Sequence, residues 1–404
     1  MVLSDNSKAR SKDYGQISFV LVYLVLTTYL KFLLRVASIS GYESISSYLN
    51  VGLIFAFSLA KVLSNKIVCR AEIFASLLIL TSSFLFTFFT GGFMSGILAV
   101  GINCFLIYTS IVGNSICLTD WDILRLCKII VAFAVLILAY AFYNVGPISN
   151  ILTLENAYNY GFIGIWGSKN QFGRFLFCAA VCNFFILVYN KKNDVVKKFY
   201  YLTFCLISFS VVITFSRAAL FALVVFLILY VLMTNKHNLK RNVVILFAVL
   251  LVGFALYKND FVRTAVEDLV IRSETANLDC RSSLWKIGMD YFKSHIFIGS
   301  GEYRAAHILR ASGSGISEFH NAYINRLVVS GIVVFFLYAY LYGKRFIVLF
   351  NESKRNEYAT ISLCLLVAIM SYMFFESFSL YTLSLDSYII MIFVYLIPNL
   401  RLEK

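Results

Sequence analysis

The chain has 404 residues, of which 60% are hydrophobic and only 14% charged, with a mean hydropathy of +0.81. A soluble protein of this size could not cover that much apolar surface, and apolar runs of about 18 residues or more cross a bilayer core. The formal net charge of +14 would suit a nucleic-acid binder, but the positive residues are placed by topology, and that reading is rejected.

In chain order, twelve membrane spans are predicted, at 16–34, 44–63, 71–90, 93–112, 126–144, 170–189, 199–214, 218–234, 242–257, 321–342, 358–375 and 379–397. The first is too long for the core of a cleavable signal and has no small-residue cleavage site after it, so it is expected to remain as a span. The fold class is therefore an all-α polytopic membrane protein. It divides into helices 1–9 over 1–257, a loop with short amphipathic helices over 258–320, and helices 10–12 over 321–404. Within the loop, "RSSLWKIGMDYFKSHI" spaces Leu284, Ile287, Gly288 and Tyr291 as one face of a helix.

The connections alternate in charge, with two weaker cases, Arg35 alone in 35–43 and Arg125 beside Asp120 and Asp122 in 113–125. The N-terminus, 61–70, 190–198, 235–241, 343–356 and the tail are basic, whereas 91–92, 145–165 and 376–378 contain no Lys or Arg. The positive-inside rule then puts both termini in the cytoplasm and the long loop outside, since long loops translocate regardless of their charge. The nine cysteines lack CxxC spacing and mostly lie in apolar runs, as small buried hydrophobes do. No metal site is expected.

This sidedness brings three polar clusters to one membrane face. "GSKNQFGRF" (167–175) opens the sixth span, Arg217 in "TFSRAAL" (214–220) opens the eighth, and His320-Asn321 opens the tenth; Arg281, in the loop, can fold over them. Helix N-termini attract anions, and the planar arginine fork suits phosphate. Arg217, Arg281 and Lys169 thus predict an anion site for a lipid-linked phosphate or diphosphate. Histidine ordinarily titrates close to neutral pH, so His320 beside that site can accept a proton from a hydroxyl. Asn170, Arg174, Arg304 and Asn321 are further candidate substrate contacts. Ordinary roles stay open for each: Arg217 as an interfacial anchor, His320 as an exposed or capping residue, Asn170 and Asn321 as helix-start residues. Glu376 and Asp386, near outward ends of the last two spans, can orient His320 or an arginine, or pair for stability.

With these pieces assembled, the chain resembles the O-antigen ligase/polymerase superfamily, bacterial inner-membrane glycosyltransferases that act on undecaprenyl-diphosphate-linked glycans. "TFSRAAL" is similar to the family's Ser-Arg segment, and "CRSSLWKIGMDYFKSHIFIGSGEY" to its loop helix with Arg, Trp and a following Gly-x-Gly. "HNAYINRLVVSG" is similar to the ligase pattern of His-Asn followed by Gly331, although Val334 stands where the pattern has Gly, Thr or Tyr; "GSKNQFGRF" resembles a Lys-Asn segment common among polymerase-like members. The resemblance implies a cofactor-free, metal-independent, inverting transfer at the periplasmic face. In it His320 deprotonates the acceptor hydroxyl, Arg217 and Arg281 hold the departing diphosphate, and the 258–320 loop closes over the donor. The implied partners are an undecaprenyl-diphosphate-linked oligosaccharide donor, a glycan or lipid A–core acceptor and, for a polymerase, a chain-length regulator. Extra outer cations favour a polymerase, with a ligase as the alternative. A lipid-linked oligosaccharide flippase is a weaker alternative, because the mid-span regions carry almost no charge.

Overall fold

The computed structural model describes residues 70–103, 106, 109–110, 120–145, 162–164, 166, 168–190, 194–234, 279–311, 318–379, 381 and 384–397. The spans expected at 16–34, 44–63 and 242–257 lie outside these residues. Within them the fold is all-helical, with no strand. The elements are α1 (Arg70–Asn103), α2 (Asp120–Val145), α3 (Lys169–Tyr189), α4 (Asp194–Ile213), α5 (Arg217–Thr234), α6 (Asp279–Ser294), α7 (Gly301–Ala311), α8 (Ala322–Glu352), α9 (Glu357–Tyr372) and α10 (Leu385–Met391), which continues as a π-helical turn over Ile392–Leu396. Six of the described helices are long and apolar enough to cross a bilayer.

α1 covers the span predicted at 71–90 and the first part of the one predicted at 93–112. At Gly92 the backbone turns to φ 81°, ψ 178°, a conformation open to glycine and strained for other residues. The Oγ atoms of Ser76 and Ser110 then meet at 2.7 Å; an unbroken helix would hold residues at that separation about 51 Å apart. The chain therefore folds back on itself at Gly92, where the sequence places the 91–92 connection.

A second reversal was not predicted. Gly331, inside α8, has φ 72° and ψ 175°, and beyond it Tyr338 comes back over Arg326, the guanidinium carbon 4.8 Å from the ring centroid. In a continuous helix these two positions would be about 18 Å apart. The leg of α8 long enough to span thus lies at 332–352, about 31 Å long, rather than at 321–342. The preceding leg packs Val328 and Val329 against Leu284, Ala305, Leu309 and Phe319, a small second core formed with α6 and α7. The free backbone groups at the break are satisfied by the connection between α6 and α7: Ile332 N–H donates to the Ile296 carbonyl at 2.9 Å, and Ser300 N–H donates to the Val328 carbonyl at 2.8 Å.

The remaining helices form the main bundle around α3. Its apolar residues run around the whole circumference, which places a helix in a core rather than at a surface, and Phe172 through Cys182, apart from Arg174, are buried. Far from the site described below, Glu72 receives ion pairs from both Arg345 and Lys344, and Arg345 also lies over the Tyr395 ring. Cys127, Cys178, Cys182 and Cys364 are free thiols buried in the helices, as their apolar settings predict; Cys205 is exposed.

Candidate active site

The start of α3 and the turn between α4 and α5 meet at one end of the bundle, and Gly173 permits the meeting. A β-carbon there would lie 2.7 Å from Ser216 Cβ, 2.9 Å from Thr214 Oγ1 and 3.1 Å from Ala219 Cβ. The Lys-Asn segment and the Ser-Arg segment, 47 residues apart in sequence, are thereby one structural unit. Ser168 caps α3, its Oγ accepting from Gln171 N–H at 3.3 Å, so that Lys169 and Asn170 occupy the first turn of the helix. Arg217 is the first residue of α5.

The second core formed with α6 and α7, called the cap below, approaches this unit through α6. Arg281, Trp285 and Gly288 are spaced four and three residues apart and share a face. Trp285 Nε1–H donates to the Phe319 carbonyl at 3.0 Å. Gly288 lets α6 close on Phe319 and Ile324; a β-carbon would be 2.9 Å from each. About two turns before Gly288, Arg281 reaches the end of the bundle. His320 is held on both sides, by the Trp285 bond to residue 319 and by the Ala322 N–H donating to the Met373 carbonyl at 2.9 Å. Asn321 caps α8, its Oδ1 accepting from Tyr323 N–H and Ile324 N–H at 3.0 Å each.

All of this converges on Glu376, which follows α9 and is 7% exposed. Its Oε1 accepts from Asn170 Nδ2 at 2.6 Å and from Arg281 Nη2 at 3.2 Å, while Oε2 lies 3.3 Å from His320 Nδ1. The Tyr372 hydroxyl donates to the Asn170 carbonyl at 3.2 Å, tying α9 to the same turn of α3. Beside this carboxylate, Lys169 lies within electrostatic reach of both Arg217 and Arg281. Three cations at the N-terminal ends of helices, next to an imidazole, gather positive charge at this end of the bundle.

Backbone strain marks the same place. Among the described residues, the non-glycine positions with positive φ are Phe215, at 54°, and His320, at 49°. One precedes Arg217 in the α4–α5 turn and the other is the candidate base. Such conformations cost about 1–3 kcal/mol and gather at functional sites.

Not every candidate joins the group. Arg174 turns into the bundle, where its Nε donates to Asp386 Oδ2 at 2.7 Å and its guanidinium lies 4.0 Å from the Phe378 ring centroid. With its side chain 12% exposed, Arg174 braces the segment after Glu376 rather than joining the Glu376 group. Arg304 is exposed on α7 and lies over Tyr291. Asn321 spends its side-chain oxygen on the helix start. Arg326, another outer cation, is buried between Glu302, at 3.4 Å, and Tyr338. Of the two carboxylates that sequence reasoning left undecided, Asp386 pairs with Arg174 and Glu376 joins the site. Glu376 sits in a short connection with no helical period to mark its direction, and its three partners lie 56 to 206 residues away in sequence.

Among the described residues, the basic clusters fall at the opposite end. α3 rises about 31 Å from Lys169, so Lys197 and Lys198 in the first turns of α4, and Lys344, Arg345, Lys354 and Arg355 around the end of α8 and the turn into α9, are far from Glu376. The site and these described basic residues thus lie at opposite ends of the described helices of a multi-pass helical membrane protein.

Residues 202–339 match the family model described as O-Antigen ligase. The match supports the O-antigen ligase/polymerase superfamily, and with it a membrane enzyme of glycosyltransferase type. The matched segment holds Arg217, Arg281 and His320 and ends before Glu376. No curated protein matches the chain.

Proposed function

We propose that the chain is a glycan polymerase that joins undecaprenyl-diphosphate-linked repeat units of an O-antigen or capsule at the periplasmic face of the inner membrane, with both termini in the cytoplasm. The observation that carries the reading is the convergence on one bundle end of an imidazole, a carboxylate and three cations from separate stretches of chain. The positive-inside rule turns that end outward, because the described basic residues at the α3–α4 and α8–α9 junctions lie at the other.

In this reading Arg217, Arg281 and Lys169 hold the donor diphosphate, and Arg217 with Arg281 neutralise the charge it gains on leaving. His320 takes the proton of the acceptor hydroxyl. The acceptor oxygen bonds to the anomeric carbon as that carbon's bond to the diphosphate oxygen breaks, the electron pair leaves with the diphosphate, and the configuration inverts. No metal or cofactor takes part. Asn170, at hydrogen-bond distance from Glu376, anchors the α3 turn that presents Lys169. The cap helices α6 and α7 carry Arg281 and form the closing part of the 258–320 loop.

The second reading is a ligase that moves finished glycan onto lipid A–core, which the family match does not separate from the first. A lipopolysaccharide gel of a deletion strain separates the two. Core carrying a single repeat means a lost polymerase; core carrying no repeat means a lost ligase. A chain-length regulator is a further candidate partner for the polymerase alone.

A further inference from the structure

One carboxylate, Glu376, serves both the cation that grips the leaving group and the candidate base, and it does so with different oxygens. Oε1 is occupied by two side chains that can only donate through the atoms concerned, Asn170 Nδ2 at 2.6 Å and Arg281 Nη2 at 3.2 Å. Oε2 is left to the ring of His320, whose Nδ1 lies 3.3 Å away. An ionised carboxylate only accepts hydrogen bonds, so the nitrogen facing it must carry the hydrogen. The backbone of His320 is pinned on both sides and left-handed, so this contact also fixes the plane of the ring.

The geometry points to Glu376 as the positioning residue that selects the tautomer of His320: Nδ1–H donates to Oε2, and the lone pair on Nε2 is directed to the acceptor hydroxyl. The inference rests on the glycosyl-transfer reading of this site. During transfer the hydroxyl proton moves to Nε2, the acceptor oxygen bonds to the anomeric carbon, and the diphosphate departs with the electron pair of the broken bond. The ring is then an imidazolium, and Glu376 already faces its second N–H. Because the same carboxylate receives Arg281 from α6, seating of the cap and orientation of the base are one event rather than two.

The test uses the full chain purified in detergent. The sequence has four histidines; replacing His237, His295 and His307 by Gln leaves His320 as the single ¹⁵N-imidazole reporter. The expected spectrum of the neutral ring is the Nδ1–H tautomer, changing to Nε2–H or to a mixture in Glu376→Gln. In the transfer assay, Glu376→Gln should lower kcat by about 10²-fold or more, as wrong-tautomer changes do, with the donor KM within about threefold. Glu376→Asp, which keeps the carboxylate, should recover at least about tenfold of that loss. An Nε2–H ring in the protein that retains Glu376 overturns the inference whatever the variants do, and so does an unchanged spectrum in Glu376→Gln. His320→Ala keeps the two failures apart. Full transfer by that variant removes the glycosyl-transfer reading itself, whereas lost transfer with a tautomer indifferent to Glu376 removes only the positioning role.

Discussion

Gly173 and Ser216 stand so close that a β-carbon on the first would lie 2.7 Å from the β-carbon of the second. That approach seats the Ser-Arg turn on the first turns of α3 and brings Arg217 beside Lys169. Gly173→Ala should therefore be costly, by the roughly 1–3 kcal/mol typical of overpacking. It should lower the thermal midpoint and also weaken donor binding. A thermal scan together with a donor titration checks both effects; a fall in stability with unchanged donor affinity would separate the packing from the site.

Gly331 has a different task. Its φ of 72° and the Phe297 carbonyl oxygen, 2.5 Å from where a β-carbon would sit, both demand glycine. Gly331→Ala should cost a further few kcal/mol, about 1–3 for the backbone alone, and should release the 295–300 connection from α8. Hydrogen exchange at Ser300 and Ile332, whose N–H groups close this junction, should quicken well before exchange in α3.

Arg217→Lys should raise the donor KM by about tenfold, because an ammonium cannot reproduce a two-pronged contact to phosphate. The effect on kcat should be of similar size or smaller. Wild-type kinetics in that variant would count against diphosphate binding at the α5 terminus.

At the other end of the bundle, Glu72 is 1% exposed and answers two cations, Arg345 and Lys344. Glu72→Ala leaves the buried Arg345 charge without this partner, a change that typically costs about 3–5 kcal/mol. The expected outcome is a large loss of thermal stability, while the protein that stays folded retains its kcat, since the pair lies a bundle length from His320. A kcat loss matched to that of site variants would show the two ends to be coupled.

Much of the fold could be read from apolar run length. The predicted spans at 126–144, 170–189, 199–214, 218–234 and 358–375 match α2, α3, α4, α5 and α9 to within a few residues, except that α2 and α4 begin five or six residues earlier, in charged stretches. The break at Gly331 was not legible, because its surroundings stay apolar and glycine inside an apolar run does not announce a reversal. Sidedness made Arg217, Arg281 and His320 candidates for one site, and the structure brings Arg281 and His320 onto one carboxylate and Arg217 beside Lys169. Hydropathy and spacing report local order only, so the pairing of Arg174 with Asp386, 212 residues away, and the convergence on Glu376 required the folded chain.

The central claim is that an imidazole and its neighbouring cations at one bundle end carry out glycosyl transfer. Its most direct measurement is sugar transfer by the purified protein in lipid vesicles, with undecaprenyl-diphosphate-linked donor and acceptor, comparing wild type with His320→Ala. Loss of a general base predicts a fall in kcat of about 10²–10⁴-fold with the protein still folded and inserted. Transfer at the wild-type rate by His320→Ala would contradict the account.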